Sequence, residues 1–204
     1  MTPIRHRLAA LLLVLSSAAS PLTAQQDDLA ALKDRLDPGS FRVFAAMLDS
    51  ARTAGLPAAP LISKAQEGLL KRAAPNAIIA ASRGLLVRMR QSRDALGSTA
   101  GPAELEAGAS ALRAGATTSQ LAELRTSRGG KGIAVPLVVL ADLLARGVPR
   151  DTAARALQAM AAANATDAAF NALRLSIERD ISGGMLPATA AGIHYRAALG
   201  GRQP

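Results

Sequence analysis

Residues able to do chemistry are sparse in this chain of 204 residues. Beyond residue 24 there is one histidine, His194, next to the only tyrosine, Tyr195, and Arg196. A single imidazole cannot assemble a multi-histidine metal site, and neither Glu178 nor Asp180 stands at a ligand spacing from it. His194 is therefore read as a packing or surface residue. The chain has no cysteine, which removes thiolate nucleophiles, thiolate metal sites and disulfides. Neither the Gly-x-Ser-x-Gly elbow nor a Ser-x-x-Lys pair occurs. Gly129-Gly130-Lys131-Gly132 lacks the glycine spacing, the hydroxyl residue after the lysine and the preceding strand that a phosphate cradle needs. Two acid pairs exist, Glu104 with Glu106 and Glu178 with Asp180. Residues two apart on a helix point to different sides, so neither pair converges on one substrate as glycosidase acids must. Glu67 with Lys71 and Arg174 with Glu178 have the four-residue spacing of helix-surface ion pairs. No motif implies a cofactor or a metal, and no catalytic residue is assigned.

The net charge is +9, of which Arg5 and Arg7 contribute two. Arginine carries most of it, since Lys33, Lys64, Lys71 and Lys131 are the only lysines. A high ratio of arginine to lysine beside abundant Ala, Gly and Pro also fits a GC-rich coding sequence, with no partner required. The densest basic cluster is Arg83, Arg88, Arg90 and Arg93, and these four are the candidate binding residues. Arg83, Arg90 and Arg93 can share a helix face, and guanidinium groups offer forked contacts to phosphate or carboxylate. No aromatic residues interleave with them for base stacking, so nucleic acid is not an expected partner. The expected partners are an envelope protein or an anionic lipid or polymer.

That expectation of place comes from the N-terminus. Arg5-His6-Arg7 precedes the apolar run Leu8-Ala9-Ala10-Leu11-Leu12-Leu13-Val14-Leu15, and small residues follow from Ser16. This is the order of a cleavable signal peptide, residues 1–24, with cleavage after Ala24. The run is too short for a bilayer span, which needs roughly 20 residues, so no transmembrane anchor is expected after cleavage. Export to the periplasm or the medium follows.

Half of the residues are hydrophobic and 2% are aromatic. That half is chiefly Ala and Leu, which favour helices and not strands. The predicted class is all-α: a bundle or a short α-solenoid of antiparallel helix pairs, forming one domain over residues 25–204 with two sub-halves joined near 97–102. Apolar residues recur at helical spacing between Gly and Pro breaks. Phe41, Phe44, Leu48 and Ala51 form one stripe, with Ser40 as its cap and Gly55 as its left-handed end. Ile62, Ala65 and Leu69 form a second; Ile78, Leu85, Met89 and Leu96 form the longest. Shorter helices are expected near 105–112, 121–124 and 136–144, then longer ones at 151–163 and 167–181. Thr117-Thr118-Ser119-Gln120 has capping-box spacing.

Laying Gly55-Leu56-Pro57 over Gly147-Val148-Pro149 also matches Gln66 with Gln158, Ala73 with Ala165 and Ile78 with Phe170, a weak internal repeat. Ala54-Gly55-Leu56-Pro57, followed by Gln66-Glu67-Gly68-Leu69-Leu70-Lys71, resembles segments of uncharacterised exported helical proteins of bacteria. That resemblance implies export and helicity and supplies no activity. The function expected on these grounds is non-catalytic: binding of a protein, peptide or lipid in a groove between stacked helices of an envelope protein. Its rivals are an exported enzyme working through dispersed carboxylates such as Glu67, and a basic factor for anionic envelope components.

Overall fold

The computed structural model describes residues 29–200, with side chains to residue 197. The signal-peptide reading of residues 1–24 lies outside the described residues. Helical residues 29–35 form α1, followed by α2 (Pro38–Thr53), α3 (Ala59–Leu70), α4 (Pro75–Leu96), α5 (Pro102–Ala114), α6 (Thr118–Ser127), α7 (Ala134–Ala145), α8 (Arg150–Ala162), α9 (Asp167–Ser182) and α10 (Pro187–Gly200). The described residues contain no strand. None of their helices is long and apolar enough to cross a membrane.

Local chemistry sets the helix ends. Pro38, Pro75 and Pro102 open α2, α4 and α5, where the missing N–H has no helical partner to lose. Six helices end in the same hydrogen-bonded turn. In the first, Gly55 N–H donates to Arg52 O and Leu56 N–H to Ala51 O. This is the Schellman pattern of a left-handed residue followed by an apolar one. It returns at Arg72-Ala73, Gly115-Ala116, Gly147-Val148, Asn164-Ala165 and Gly184-Met185. The apolar residue after the turn faces inward: Leu56, Ala116 and Val148 are buried. Arg72 and Asn164 hold the left-handed conformation without being glycine, at φ 54° and 58°.

The helices pack in a simple order. α2 packs on α4, α4 on α6, α6 on α8 and α8 on α10, while α5 packs on α7 and α7 on α9. Neighbours in sequence join the two rows, α3 with α4, α4 with α5, α7 with α8 and α9 with α10. This two-row stacking of helix pairs has the contact order of a solenoid. It also assigns the Gly55/Gly147 repeat to the turns. In that alignment α2 falls on α7, yet α2 belongs to the first row and α7 to the second, so the recurring unit is the turn and not a helix pair.

One core runs from Leu32 to Ala191 and continues across the 97–101 connection through Leu96, Ala100 and Leu105. Small residues let the rows approach. Ala107, Gly108, Ala109 and Ala111 of α5 are all buried, and α5 lies between α4 and α7. A Cβ on Gly108 would stand 2.0 Å from Ser92 Oγ, and that hydroxyl is buried without a hydrogen-bond partner. Gly108→Ala should therefore cost about 1–3 kcal/mol by overpacking. Ser92→Ala alone should be neutral or slightly stabilising, because it removes an unsatisfied buried group. Combining the two should recover part of the Gly108→Ala loss, as chemical denaturation of the three variants will read.

Some details differ from the sequence expectations. Asp37, not Ser40, caps α2, its Oδ1 accepting from Ser40 N–H at 2.9 Å. The carboxylate precedes Pro38, so the helix begins three residues earlier than the Ser40 reading places it. On α4 the buried set is Ile78, Ile79, Ser82, Leu86, Met89, Ser92 and Leu96. This face is broader than a single stripe because α2, α3, α5 and α6 all pack on α4.

Candidate functional site

The surface of the first row carries a trough across three successive helices. Its first part, about 450 Å³, lies between α4 and α6 and is lined by Gln91, Asp94, Ala95, Thr118, Ser119 and Ala122. The second part, about 300 Å³, lies between α6 and α8, where Gln120 and Glu123 face Arg150, Asp151, Arg155 and Gln158. Ser119 lines both, so the two parts adjoin.

The trough is where it is because α6 is short and its first turn is fixed. Thr117 Oγ1 accepts from Gln120 N–H and Gln120 Oε1 accepts from Thr117 N–H, both at 3.1 Å. This is the capping box that the Thr117-to-Gln120 spacing predicts. Two bridges hold α8 at a set distance from α6. Gln120 Nε2 donates to Asp151 Oδ1 at 3.1 Å, and Gln158 Nε2 donates to Glu123 Oε2 at 2.8 Å. The Gln91 amide, the Asp94 carboxylate, the Thr118 and Ser119 hydroxyls and the Arg155 guanidinium remain without a hydrogen-bonding partner among the described residues. Such a surface offers donors and acceptors of both charge signs in a row, suited to an extended chain of amides with mixed side chains.

The four arginines do not form one patch. Arg90 donates to Ser50 Oγ at 2.5 Å and Arg93 to Gly55 O at 3.0 Å, so both are committed to the C-terminal end of α2. A cation there also suits the negative end of the helix dipole. Arg83 is exposed. Arg88 lies on another side of α4, beside Arg113 of α5.

Three of the candidate carboxylates, Glu67, Glu104 and Glu178, are likewise occupied. Glu67 sits between Lys64 at 2.7 Å and Lys71 at 2.5 Å. Hydrogen bonds from Lys64 and then Lys71, helped by their charges, bring its carboxyl down to about 2. A carboxylate so strongly ionised is a poor general acid, which weighs against the enzyme reading built on it. Glu104 and Glu106 diverge as helix spacing requires. Glu104 turns inward to Arg125 at 2.6 Å while Glu106 is exposed. Glu178 binds Arg146 at 2.9 Å and Arg174 at 3.0 Å.

His194 has a partner that local spacing hides, since its Nε2 lies 2.6 Å from Asp180 Oδ2. The contact ties α10 to α9. No hydroxyl of the described residues is hydrogen-bonded to the ring. Among the described residues, no group of three or more His, Asp or Glu side chains is placed to hold a metal. The Gly129–Gly132 loop is bound to the protein itself: Lys131 Nζ donates to Asn164 Oδ1 at 3.0 Å and Arg128 Nε donates to Gly132 O at 3.2 Å.

No protein-family model, curated protein or solved structure matches the chain.

Proposed function

We propose that the protein is a non-catalytic interaction module that binds an extended segment of a partner polypeptide in the trough across α4, α6 and α8. The observation that carries this reading is the junction of the two depressions at Ser119, which makes one path over three successive helices. Stacked helix pairs commonly bind their partners along a row of this kind. Unpaired groups of both polarities along the path favour a peptide over an apolar ligand, and the commitment of Glu67, Glu104 and Glu178 to ion pairs favours binding over catalysis. The order of basic, apolar and small residues in 1–24 favours work outside the cytoplasm, with an envelope protein as the partner class.

A photo-crosslinking amino acid at Ser119, introduced into the full-length protein in its source cells, tests the reading. One discrete protein adduct is expected at Ser119 and none at Ser63, an exposed control position on α3. Joint replacement of Gln91, Thr118 and Arg155 by Ala should weaken recovery of that adduct about tenfold or more, as loss of a few interface hydrogen bonds does. Equal labelling at Ser119 and Ser63, or recovery unchanged in the triple variant, would overturn the proposal.

A further inference from the structure

We propose that Arg88 and Arg113 form a binding site for a phosphate-type oxyanion, on the α4–α5 seam and separate from the trough. Gly68, Gly84, Gly108 and Gly192 stand inside helices that Ala would favour by about 1 kcal/mol each; two of them admit a neighbouring helix, and a Cβ on Gly192 would meet nothing within 4 Å. A Cβ on Gly68 of α3 would meet Ile78 of α4 at 2.7 Å, and one on Gly108 of α5 would meet Ser92 of α4. Gly84 differs, because the three atoms outside the helix backbone that come nearest its missing Cβ all belong to the Arg88 guanidinium, with Nη1 at 3.2 Å. The side chain of a helical residue leans back over the preceding turn, and Gly84 clears that turn for a guanidinium.

Arg88 is half-buried, and its Nε is fully enclosed with no hydrogen-bond partner. The other arginines with an enclosed Nε, Arg93, Arg125 and Arg174, each hold an oxygen through a terminal nitrogen. No oxygen of the described residues is hydrogen-bonded to any side-chain nitrogen of Arg88 or of Arg113. Burial first, then the charge of Arg113, lowers the pKa of Arg88 from its usual value. The packing explains why Arg113 is close. Ser92 of α4 lies against Gly108 of α5, and one turn onward along both helices, which are joined by the short 97–101 connection, brings Arg88 opposite Leu112 and Arg113. The acid sharing Arg113's side of α5, Glu106, is seven residues back, about 10 Å along the axis.

A partly dried guanidinium with a second, exposed one as its neighbouring charge, and no carboxylate paired to either, opposes folding unless an anion bridges them. Their planar forks match the oxygens of phosphate. The phosphate is either free or carried by a lipid: a groove of about 250 Å³ between α3 and α4, bordered by Lys64, Glu67 and Lys71, has Ala77, Ile78 and Ala81 in its lining, and Ala81 is on the same stripe of α4 as Arg88, about 10 Å away.

Calorimetric titration of the mature full chain with inorganic phosphate, paired with flotation on phosphatidylglycerol and phosphatidylcholine vesicles, tests the site. Saturable phosphate binding identifies the free ion; binding only to phosphatidylglycerol identifies a lipid headgroup. In either case Arg88→Gln and Arg113→Gln should each weaken binding about tenfold or more, and Arg83→Gln should leave it unchanged. Gly84→Ala should raise the melting temperature while weakening binding, a combination that a general folding defect cannot produce. Arg113 is exposed, so its variant will fold even if that of Arg88 does not. No binding to either probe, or binding retained by Arg113→Gln, overturns the proposal.

Discussion

Replacing Glu104 by Ala is expected to lower stability by about 3 kcal/mol, the order seen when one partner of a largely buried ion pair is removed. For a chain of this size that is roughly 6–12 °C in melting temperature. The carboxylate is 14% exposed and serves three elements. Oε2 accepts from Arg125 at 2.6 Å and from Gly101 N–H at 3.1 Å, and Oε1 accepts from Ile133 N–H at 3.0 Å. Without it the start of α5, the side of α6 and the entrance to α7 all lose their common acceptor. Burial pushes this carboxyl up, but the Arg125 hydrogen bond, the Ile133 and Gly101 amides and the Arg125 charge together outweigh it, and its pKa falls below the ordinary 4.5. A depressed folded value means that the stabilisation is complete above 4.5 and is lost as the pH falls below it through the folded value. Melting curves recorded from neutral pH downward should therefore show wild type and Glu104→Gln converging in acid. Curves that stay parallel would mean that the carboxylate charge contributes nothing. Glu67, though more strongly shifted, is 43% exposed, and solvent screening should leave Glu67→Gln with a much smaller effect.

Phe170→Ala should cost more, about 3–5 kcal/mol, as large-to-small changes at fully enclosed aromatic sites do. Phe170 has no exposed surface, and the Arg128 guanidinium lies 5.1 Å from its ring centroid. Arg128 is itself 5% exposed. It donates to Gly132 O, to Ala165 O and to Asp167 Oδ1, so it fastens the loop before α7 to the turn between α8 and α9. Removing the ring thus opens a cavity and also strips one wall from a buried cation. Arg128→Met keeps the apolar stem but orphans two carbonyls, and should fall between wild type and Phe170→Ala in urea denaturation. If Arg128→Met matched wild type, the guanidinium would be incidental to the fold.

Much of this architecture is legible in the residues, because helix stripes and turn signals are local. Phe44, Leu48 and Ala51 fall on a buried face as their spacing predicts, and Phe170, Leu173 and Ile177, at the same three- and four-residue spacing within the helix expected at 167–181, are buried too. Gly55 and Gly147 both end helices in the left-handed conformation. α1 and α10 escape such a reading. α1 offers little beyond Leu29 and Leu32, and among the described side chains of α10 only Ala190 and Ala191 are buried hydrophobics, so neither shows a wide apolar face among the described residues. The trough escapes for another reason. Gln91, Ser119 and Arg155 come from three helices, and nothing in their spacing announces that packing will align them. His194 and Asp180 are 14 residues apart across a turn, outside the three- or four-residue windows that make helix pairs visible. The arginine cluster shows the opposite difficulty. Arg88 and Arg90 are neighbours in sequence, but two residues along a helix is a turn of about 200°, and they serve different seams.

The stacking order has a bearing on how the chain reaches this state. Every substantial helix contact joins partners one or two places apart in the chain, so each docking step closes only a short loop and forfeits little chain entropy. Assembly of this kind has no obligatory first pair and is rapid for its length. It also lets the last helix at either end detach while the centre stays folded, so the interior around α5 and α7 should be the last region to exchange its amide protons.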